Sequence, residues 1–244
     1  MKNPESWRPT KFVMSRQRLR ASRNPEHVAP ASWFIADVLA ARYETLLRRH
    51  ARGRLLDLGA GEVPLYGCYR GLVDTATCVD WSHTPHPCRH LDHQLDLNQP
   101  LPLGDAQYDT VLLTDVLEHV QRPAQLFGEI HRLLAPAGKL LLTVPFFYWI
   151  HEAPHDYARY TAFMLRRFSE DSGLSVEELE ATGGSPEIFL DMLAKHLSWS
   201  DKLAQVQGRL ARCALGLPGV AAASRYTSRW FPQGYVLVAQ KARG

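Results

Sequence analysis

Short apolar runs alternate along this chain with longer segments of helical periodicity, and this alternation limits the possible folds more than any other feature. The expected strands, all short and apolar, are residues 54–58, 77–80, 109–114 and 139–144, with one more ending near Leu95. Before the strand over residues 139–144, Leu126, Phe127 and Ile130 recur at helical spacing. Strands that alternate with helices form a parallel sheet covered by helices on both faces. The sequence therefore predicts an α/β, doubly wound domain.

The remaining segments extend this pattern in both directions. A helix begins at Ser32, and the segments after residue 160 are a helix over 161–172, a strand over 175–181, a mostly helical stretch over 186–230 and a last strand over 235–239. We therefore expect an irregular basic arm over residues 1–29 and one domain over 30–244. Within that domain, residues 185–233 form a helical insertion.

The composition excludes several other classes of protein. Of the 244 residues, 45% are hydrophobic and 22% are charged, which is typical of a globular chain and unlike a disordered or collagen-like one. Four cysteines without a CxxC pair predict a reducing compartment. The first residues lack the apolar stretch of a secretory signal, and residues 140–150 are too short to span a bilayer. These features predict a cytoplasmic protein.

The net charge of +3 is distributed unevenly along the chain. Residues 1–24 carry +6, residues 195–244 carry +7 and the centre between them carries −10. Basic segments of this kind are typical of contact with anions, such as a phosphorylated substrate, lipid headgroups or nucleic acid. The alternative is that both ends are solvated surfaces.

Acidic residues and glycines follow the carboxyl ends of the first three strands, where ligands bind in open α/β sheets. Asp57 precedes the glycine turn 59–61, Asp80 ends the second strand and Asp96 follows the third. Asp80 can accept hydrogen bonds from two ribose hydroxyls, whereas an aspartate beside the glycines would repel a phosphate. Pro64 also replaces the third glycine of a dinucleotide fingerprint. The pattern predicts a nucleoside cofactor that carries a cationic group.

Four segments, residues 55–61, 79–80, 108–120 and 129–141, together resemble class I S-adenosylmethionine-dependent methyltransferases. The resemblance is greatest to the small-molecule branch known as methyltransferase type 11, and it spans roughly residues 52–182. It implies a Rossmann-like fold with a mostly parallel seven-stranded sheet and an antiparallel last strand. It also implies methyl transfer from S-adenosyl-L-methionine to a small molecule.

The resemblance assigns the following residues to the cofactor: Asp57, Gly59, Ala60 and Gly61 at its methionine part, Asp80 at the ribose, Trp81, Asp96 and Leu97 at the adenine, and Thr114 at the amino-acid end. His119 is a further candidate cofactor-binding residue, and the alternative is that it only starts a helix after the fourth strand. Glu118 is interpreted as a structural residue at a helix start. The sequence departs from the family pattern at Pro136-Ala-Gly138, which usually reads Pro-Gly-Gly, and at the missing third glycine.

The loop that follows residue 144 combines histidines, acids and an arginine with several aromatic side chains. His151 and His155 are candidate general bases, Asp156 would orient one of them, and Arg159 would bind an anionic group of the substrate. These four are the predicted catalytic residues. The alternative is a lid whose polar residues cap the next helix, with Thr161 at the cap position.

Two histidine patterns resemble metal sites. Residues 151–155 match the zinc-protease pattern H-E-x-x-H, but Pro154 prevents the helix that would place both histidines on one face, so we reject it. The second pattern has residue types that suit a transition metal but a spacing that fits no common zinc module: His83, His86, Cys88, His90, Asp92 and His93. We predict no metal, and whether residues 83–93 bind one is left open.

Three functions remain open. The first is a small-molecule methyltransferase, with a hydroxyl of a glycan or secondary metabolite as the favoured acceptor; the basic ends would cover the acceptor side and favour an anionic or carrier-linked acceptor. The second is a non-catalytic cofactor-binding partner module. The third is a methyltransferase that binds RNA or DNA, which is disfavoured because residues 114–117 lack the Asp/Asn-Pro-Pro-Tyr segment. Peripheral membrane contact is a further expectation, since the apolar residues 213–223 precede Arg225 and Arg229.

Overall fold

Seven strands form one sheet at the centre of the molecule, with helices packed on both faces. The computed structural model describes residues 1–83 and 88–243. The strands are β1 (Phe12–Ser15), β2 (Arg18–Ala21), β3 (Arg54–Leu58), β4 (Thr75–Asp80), β5 (His93–Gln94), β6 (Tyr108–Thr114), β7 (Leu134–Pro145), β8 (Leu174–Thr182) and β9 (Gly234–Lys241). The helices are α1 (Trp33–His50), α2 (Tyr66–Tyr69), α3 (Pro123–Leu133), α4 (Ala162–Asp171), α5 (Ser185–His196), α6 (Asp201–Leu215) and α7 (Pro218–Thr227).

The strand order reverses between β3 and β6. Across the sheet the order is β5-β4-β3-β6-β7-β9-β8. The five neighbouring strands β5, β4, β3, β6 and β7 are parallel. Strand β9 is antiparallel to both β7 and β8. This confirms the expected doubly wound, mostly parallel sheet with an antiparallel last strand. In such folds the ligand crevice lies beyond the carboxyl ends of the strands where the order reverses, here β3 and β6.

The central strands are apolar on both faces because both faces are covered. In β6, Leu112 packs in the cluster that contains Leu47 of α1, and its neighbour Leu113 packs in the cluster that contains Phe127 of α3. All four side chains are fully buried. This explains why these strands are continuous apolar runs in the sequence instead of alternating ones.

Most elements lie close to their expected positions. Residues 54–58 coincide with β3, and α3 ends one residue before the end of the helix that the sequence predicts over residues 123–134. Thr161 caps α4 as expected, because its hydroxyl oxygen accepts a hydrogen bond from the Met164 N–H at 3.4 Å. Ser32 precedes α1 but does not cap it with its side chain; its hydroxyl oxygen accepts a bond from Lys195 instead, at 3.0 Å.

The expectation of an irregular arm over residues 1–29 is wrong, because β1 and β2 form an antiparallel hairpin there. Phe12 and Leu19 are buried against the core, and the Leu19 N–H donates to the carboxylate of Glu44 on α1 at 3.2 Å. Arg18 and Arg20 alternate with the buried residues of β2 and face solvent. The basic side chains on the outer face concealed the alternation in the sequence.

The N-terminal segment also reaches the glycine turn after β3. The buried indole of Trp7 donates its N–H to the carbonyl of Val63 at 3.1 Å, and its ring packs edge-on against Tyr66 with a centroid distance of 5.3 Å. Val63 has a φ of +52°, which is strained for a β-branched residue. Trp7 therefore helps to hold this strained turn in place.

The segment expected to be mostly helical over 186–230 consists of α5, α6 and α7, placed between β8 and the last strand. None of the helices in residues 1–83 and 88–243 has both the length and the apolar character needed to cross a membrane. The domain boundaries proposed from the sequence stay a prediction.

We expect Trp7→Ala to lower the free energy of unfolding by about 3–5 kcal/mol, as is usual when a buried tryptophan is truncated. Urea unfolding followed by circular dichroism measures this value. Trp199→Ala is the matched control: Trp199 is largely exposed, so the substitution should change stability by less than about 0.5 kcal/mol. Equal effects of both substitutions would show that the N-terminal segment is not part of the folded core.

Candidate functional site

Three cavities lie together at the carboxyl edge of the sheet. The large cavity, of about 550 Å³, is lined by residues that include Asp80, Trp81 and Leu97. The glycine cavity, of about 170 Å³, is lined by residues that include Asp57, Gly59, Ala60, Gly61 and Thr114. The histidine cavity, of about 120 Å³, is lined by residues that include Glu118, Tyr148 and His151. The structure thus brings most of the predicted site residues to one edge.

Two residues, Asp115 and Glu152, line all three cavities. Each is a non-glycine residue with a φ of +52°. Strained backbone of this kind clusters at active sites, where the surrounding structure holds it in place. Asp115 is held by the hydroxyl of Thr143, which donates to its carboxylate at 2.9 Å, and by the hydroxyl of Tyr43. The point where the cavities meet is therefore a fixed part of the structure.

The glycine turn needs glycine at its first position for a steric reason. Gly59 has a φ of +72°, and a Cβ there would lie 2.4 Å from the Val116 side chain. Gly61 has a φ of +51°, and a Cβ there would extend into open space. The N–H groups of Gly59 and Ala60 donate to the carbonyl of Val79 at 2.8 and 3.0 Å, which ties the turn to β4. The turn leaves the backbone of Gly61 open toward the cavities.

The carboxylate of Asp80 is fixed at the rim of the large cavity. One oxygen accepts a hydrogen bond from the Gly61 N–H and the other from the Trp81 N–H, both at 2.8 Å. The Trp81 indole meets the His155 ring edge-on with a centroid distance of 5.0 Å. Asp80 therefore couples the glycine turn to the end of β4, and Trp81 forms an aromatic wall beside it.

The residues predicted at the adenine end lie on the same cavity. Leu97 is buried, and Asp96 is exposed with one carboxylate oxygen accepting bonds from both nitrogens of Asn98, at 2.9 and 3.0 Å. His119 lies across the cavity, and its Nδ1 is 2.8 Å from the carbonyl oxygen of His155. These contacts fix the orientation of polar groups along the rim.

Asp57 is a buried carboxyl group on the floor of the glycine cavity. Burial raises its pKa to about 7, even though the hydroxyl of Tyr69 donates to it at 3.0 Å and opposes the shift. Asp80, a like charge, raises the pKa further. A carboxylate in this position favours a cationic ligand, because a nearby positive charge would stabilise its ionised form.

Glu118, His119 and His151 form a cluster between the histidine cavity and the large cavity. The His151 and His119 Nε2 atoms lie 3.7 and 3.8 Å from one oxygen of Glu118, which is completely buried. Burial raises the pKa of Glu118. Burial opposes protonation of His151, but the negative charges of Glu118 and Asp156 outweigh it, so that the pKa of His151 is raised. The sequence pattern did not indicate that these three titratable side chains lie together.

The four predicted catalytic residues are divided between two places. His151 lines the histidine cavity, whereas His155 lines the large cavity and its Nδ1 is 2.9 Å from the Tyr157 hydroxyl. Asp156 and Arg159 pair with each other, which holds the pKa of Asp156 well below its usual range. Arg159 also donates to the Trp149 carbonyl at 3.1 Å. Arg159 thus holds the loop in this structure, and its anion-binding role stays a prediction.

The two sequence patterns that resemble metal sites do not form them in the described residues. Residues 151–155 are not helical, which agrees with the rejected protease pattern. In the loop over residues 83–93, His86 lies outside the described residues. His90 Nδ1 is 3.1 Å from the carbonyl of Lys2, and Asp92 accepts a bond from the Cys78 N–H at 2.7 Å. The side chains of His90 and Asp92 therefore bind backbone groups of other segments.

Sequence reasoning missed three residues that the structure places at the site: Tyr43, Asp115 and Glu118. Asp115 and Glu118 follow β6 in the segment that carries the family resemblance, so their position after a central strand was an available signal. Glu118 lies in a short helical turn as expected, but the interpretation as a structural residue overlooked its complete burial. Tyr43 comes from α1 and reaches the site only through tertiary packing.

The family comparison is informative over most of the central region. A family profile described as a methyltransferase domain matches residues 33–181, which is more than half of the chain. Among curated proteins, no sequence matches significantly.

Many solved structures share the fold. The 4+2 cyclase SpnF is 19% identical with a TM-score of 0.56, and the match covers 86% of this chain and 84% of that one. An S-adenosylmethionine-dependent methyltransferase from Mesorhizobium loti is 14% identical with a TM-score of 0.52, covering 85% and 100%. Phosphoethanolamine N-methyltransferase 2 of Haemonchus contortus, in complex with phosphomonomethylethanolamine and S-adenosylhomocysteine, is 13% identical with a TM-score of 0.55, covering 91% and 58%. At these identities the likeness shows a shared fold.

Asp57→Asn should stabilise the ligand-free protein above neutral pH. The folded wild type keeps the Asp57 proton up to a pH of about 7, whereas an unperturbed aspartate releases it near 3.8, so the wild type loses stability as the pH rises between these values. The variant lacks this loss. We expect the difference in unfolding free energy between variant and wild type to grow by roughly 3 kcal/mol between pH 5 and pH 8. Denaturant melts at both pH values measure it, and a constant difference would contradict the assignment.

Proposed function

The chain belongs to the methyltransferase-domain family, and we propose that it transfers the methyl group of S-adenosylmethionine to a hydroxyl oxygen of a small-molecule acceptor. One observation carries this proposal. Two cavities that suit the two halves of the cofactor meet a third, histidine-lined cavity at Asp115 and Glu152. A methyl group at that junction would face the third cavity.

The residues around the first two cavities fit S-adenosylmethionine. The large cavity has the volume of a small-ligand site, and a carboxylate such as Asp80 can accept bonds from ribose hydroxyls in addition to the Gly61 N–H. Gly61 has no side chain that would occupy the passage between the two cavities. The buried Asp57 favours a positive charge, which the amino group and the sulfonium of the cofactor both supply.

The histidine cavity suits a small polar acceptor. Its deep end carries Glu118 and His151, which can draw a proton from a hydroxyl group. Lys11 and Arg42 also line it, and they would attract an anionic group at the other end of the acceptor. Lys11 comes from the N-terminal segment, so the basic end of the chain contributes to this cavity. The proposed acceptor is therefore a hydroxyl compound with an anionic substituent.

Methyl transfer to oxygen makes two demands on these residues. The hydroxyl oxygen attacks the methyl carbon in line with the carbon–sulfur bond; a carbon–oxygen bond forms, the carbon–sulfur pair stays on sulfur, and S-adenosylhomocysteine is released. The hydroxyl proton must leave as the new bond forms. Alignment lowers the barrier because it fixes the reacting atoms before the reaction, and His151, supported by Glu118, accepts the hydroxyl proton.

The remaining predicted catalytic residues have supporting roles in this proposal. His151 is favoured over His155 at the acceptor because only His151 lines the histidine cavity. Asp156 accepts a bond from the backbone N–H of His151 at 3.0 Å and is itself paired with Arg159, so these two are positioning residues for His151. The Haemonchus contortus enzyme was solved with a small phosphorylated acceptor, so a protein of this fold can hold such a molecule.

The test uses S-adenosylmethionine carrying a ¹³C-labelled methyl group and a panel of small hydroxyl compounds with and without a phosphate. We expect the labelled carbon to appear bonded to oxygen, as its NMR chemical shift reveals. Asp80→Ala should lose this transfer, because removing the hydrogen bonds to the ribose should weaken cofactor binding roughly 10- to 100-fold in calorimetry. Asp74→Ala, at the opposite end of β4, is the matched control and should bind the cofactor normally.

Each other outcome selects a different function. Label on nitrogen or carbon would overturn the O-methyl assignment while keeping the methyltransferase. Cofactor binding without transfer to any acceptor would favour the non-catalytic partner module. Transfer to RNA or DNA, with binding that weakens steeply as salt is raised, would favour a nucleic-acid substrate.

A further inference from the structure

The strongest unexplained feature of the site is the carboxylate of Glu118. The side chain is completely buried in the short helical turn Leu117–His119, after β6. Among the residues that the structure describes, neither of its oxygens has a hydrogen-bond partner. An isolated buried carboxylate is strongly unfavourable unless a cation or a set of donors compensates it. The position therefore calls for a positively charged partner.

Two imidazoles approach this carboxylate at distances too long for hydrogen bonds. The His151 and His119 Nε2 atoms lie 3.7 and 3.8 Å from one Glu118 oxygen, and the three ligand atoms all lie within 4.8 Å of one another. Ligands about 2.1 Å from a tetrahedral metal ion are about 3.4 Å from each other. The observed spacing is thus close to that of a set of metal ligands.

The second nitrogen of each ring is already occupied by an acceptor. His119 Nδ1 lies 2.8 Å from the carbonyl oxygen of His155, which can only accept, so this nitrogen carries the hydrogen. His151 Nδ1 lies 3.3 Å from both the Trp149 carbonyl and the Asp156 carboxylate. In the neutral rings, both Nε2 atoms then hold a lone pair. This is the tautomer and the outer support that metal-binding histidines have.

We propose that Glu118, His119 and His151 bind one divalent first-row transition-metal ion. Two histidines and one carboxylate are typical of sites that keep coordination positions open, and here those positions would face the histidine and large cavities. Asp115 is outside this group of ligand atoms, and its oxygens accept hydrogen bonds from Tyr43 and Thr143. This proposal departs from the expectation that the chain has no metal site.

The inference rests on the proposed function for its chemical meaning. An ion at this place would supply a Lewis acid beside the acceptor hydroxyl and lower the pKa of that group. His151 would then serve as a ligand, and the hydroxyl proton would leave to water. The catalytic contribution of His151 would depend on metal binding and not on its own basicity.

The test measures metal binding in the absence of cofactor and acceptor. The full-length protein is freed of metal with a chelator and titrated with Zn²⁺ in a calorimeter and with Co²⁺ in a visible spectrometer. We expect one ion per chain and a Co²⁺ spectrum of low coordination number. Glu118→Gln and His151→Ala should each weaken binding by at least about 100-fold, more than the loss of an outer-shell partner costs.

His131→Ala is the matched control, because it removes an imidazole on α3 that packs against Gly173, away from the cluster. It should bind the ion like the wild type. Glu118→Gln removes a buried charge and should fold at least as well as the wild type, which a thermal melt checks. No binding, or equal binding by all variants, would overturn the proposal. The metal titration measures no methyl transfer. A failure of the metal proposal can therefore be distinguished from a failure of the proposed function.

A separate observation concerns the helical insertion. Helix α6 buries its small residues Ala204, Gly208 and Ala211. It exposes Leu203, Val206 and Leu210, which form one stripe at helical spacing. Leu210 is 66% exposed. The apolar face of this amphipathic helix is therefore directed away from the protein core.

Neighbouring elements extend this exposed apolar surface. Its other members are Phe189, Met192 and Leu193 on α5, and Leu217, Tyr226, Trp230 and Phe231 near α7. Phe231 also packs against Phe147 of the loop after β7, with a distance of 6.1 Å between the ring centroids. Within residues 185–233, all of which the structure describes, Asp201 is the only exposed acid, whereas Lys202, Arg209, Arg225 and Arg229 are all exposed.

The geometry points to a bilayer surface with anionic lipids as the partner of this face. Apolar side chains flanked by cations are typical of helices that lie in the membrane interface. Phosphatidylcholine vesicles with and without phosphatidylglycerol provide the test. We expect the protein to sediment with the anionic vesicles and to be released as salt is raised.

Leu210→Glu should reduce this binding at least about tenfold, whereas Phe163→Glu, which alters a large exposed side chain on α4, should not. The absence of sedimentation with either vesicle would overturn the inference. So would a lipid-independent dimer, seen by analytical ultracentrifugation, that Leu210→Glu dissociates, because a second copy would then cover the face.

Discussion

Burial of two carboxylates, Asp57 and Glu118, is the constraint on which the site depends. Each lies at the carboxyl edge of the sheet, one in β3 and one just after β6, and burial raises the pKa of both. Charged groups in such places oppose folding, so the surrounding structure has to be stable enough to keep them there. A cationic ligand would stabilise the ionised form of both, which is a physical reason to regard this edge as a binding site.

The rest of the fold supplies that stability and that geometry. The strands next to the carboxylates are covered by apolar clusters on both faces, so their ends are held in fixed positions. The hairpin and Trp7 close the amino-terminal side, and Trp7 bonds directly to the strained turn at Val63. Asp115 and Glu152 keep left-handed backbone conformations where the three cavities meet. The site is rigid because elements distant in sequence pack around it.

The fold and the residues that line the large and glycine cavities could largely be read from the sequence, since both depend on local patterns. The run 54–58 with its glycine turn predicted β3 and the acids at its end, and periodicity placed α3 and α4. The hairpin was missed because basic residues on its outer face concealed a period of two. At the histidine cavity, His151 was identified but Glu118 was not, because its burial depends on α1 and on the loop after β7.

By itself, the sequence determined the order of strands and helices and the residues that stand at the strand ends, because periodicity and turn chemistry are local properties. Only the tertiary structure decided which of those residues face one another. It separated His151 from His155, paired Arg159 with Asp156 and brought His119 and His151 to the same buried carboxylate. The reason is that burial and the directions of ring nitrogens depend on contacts between segments far apart in the chain, which no spacing along the sequence specifies.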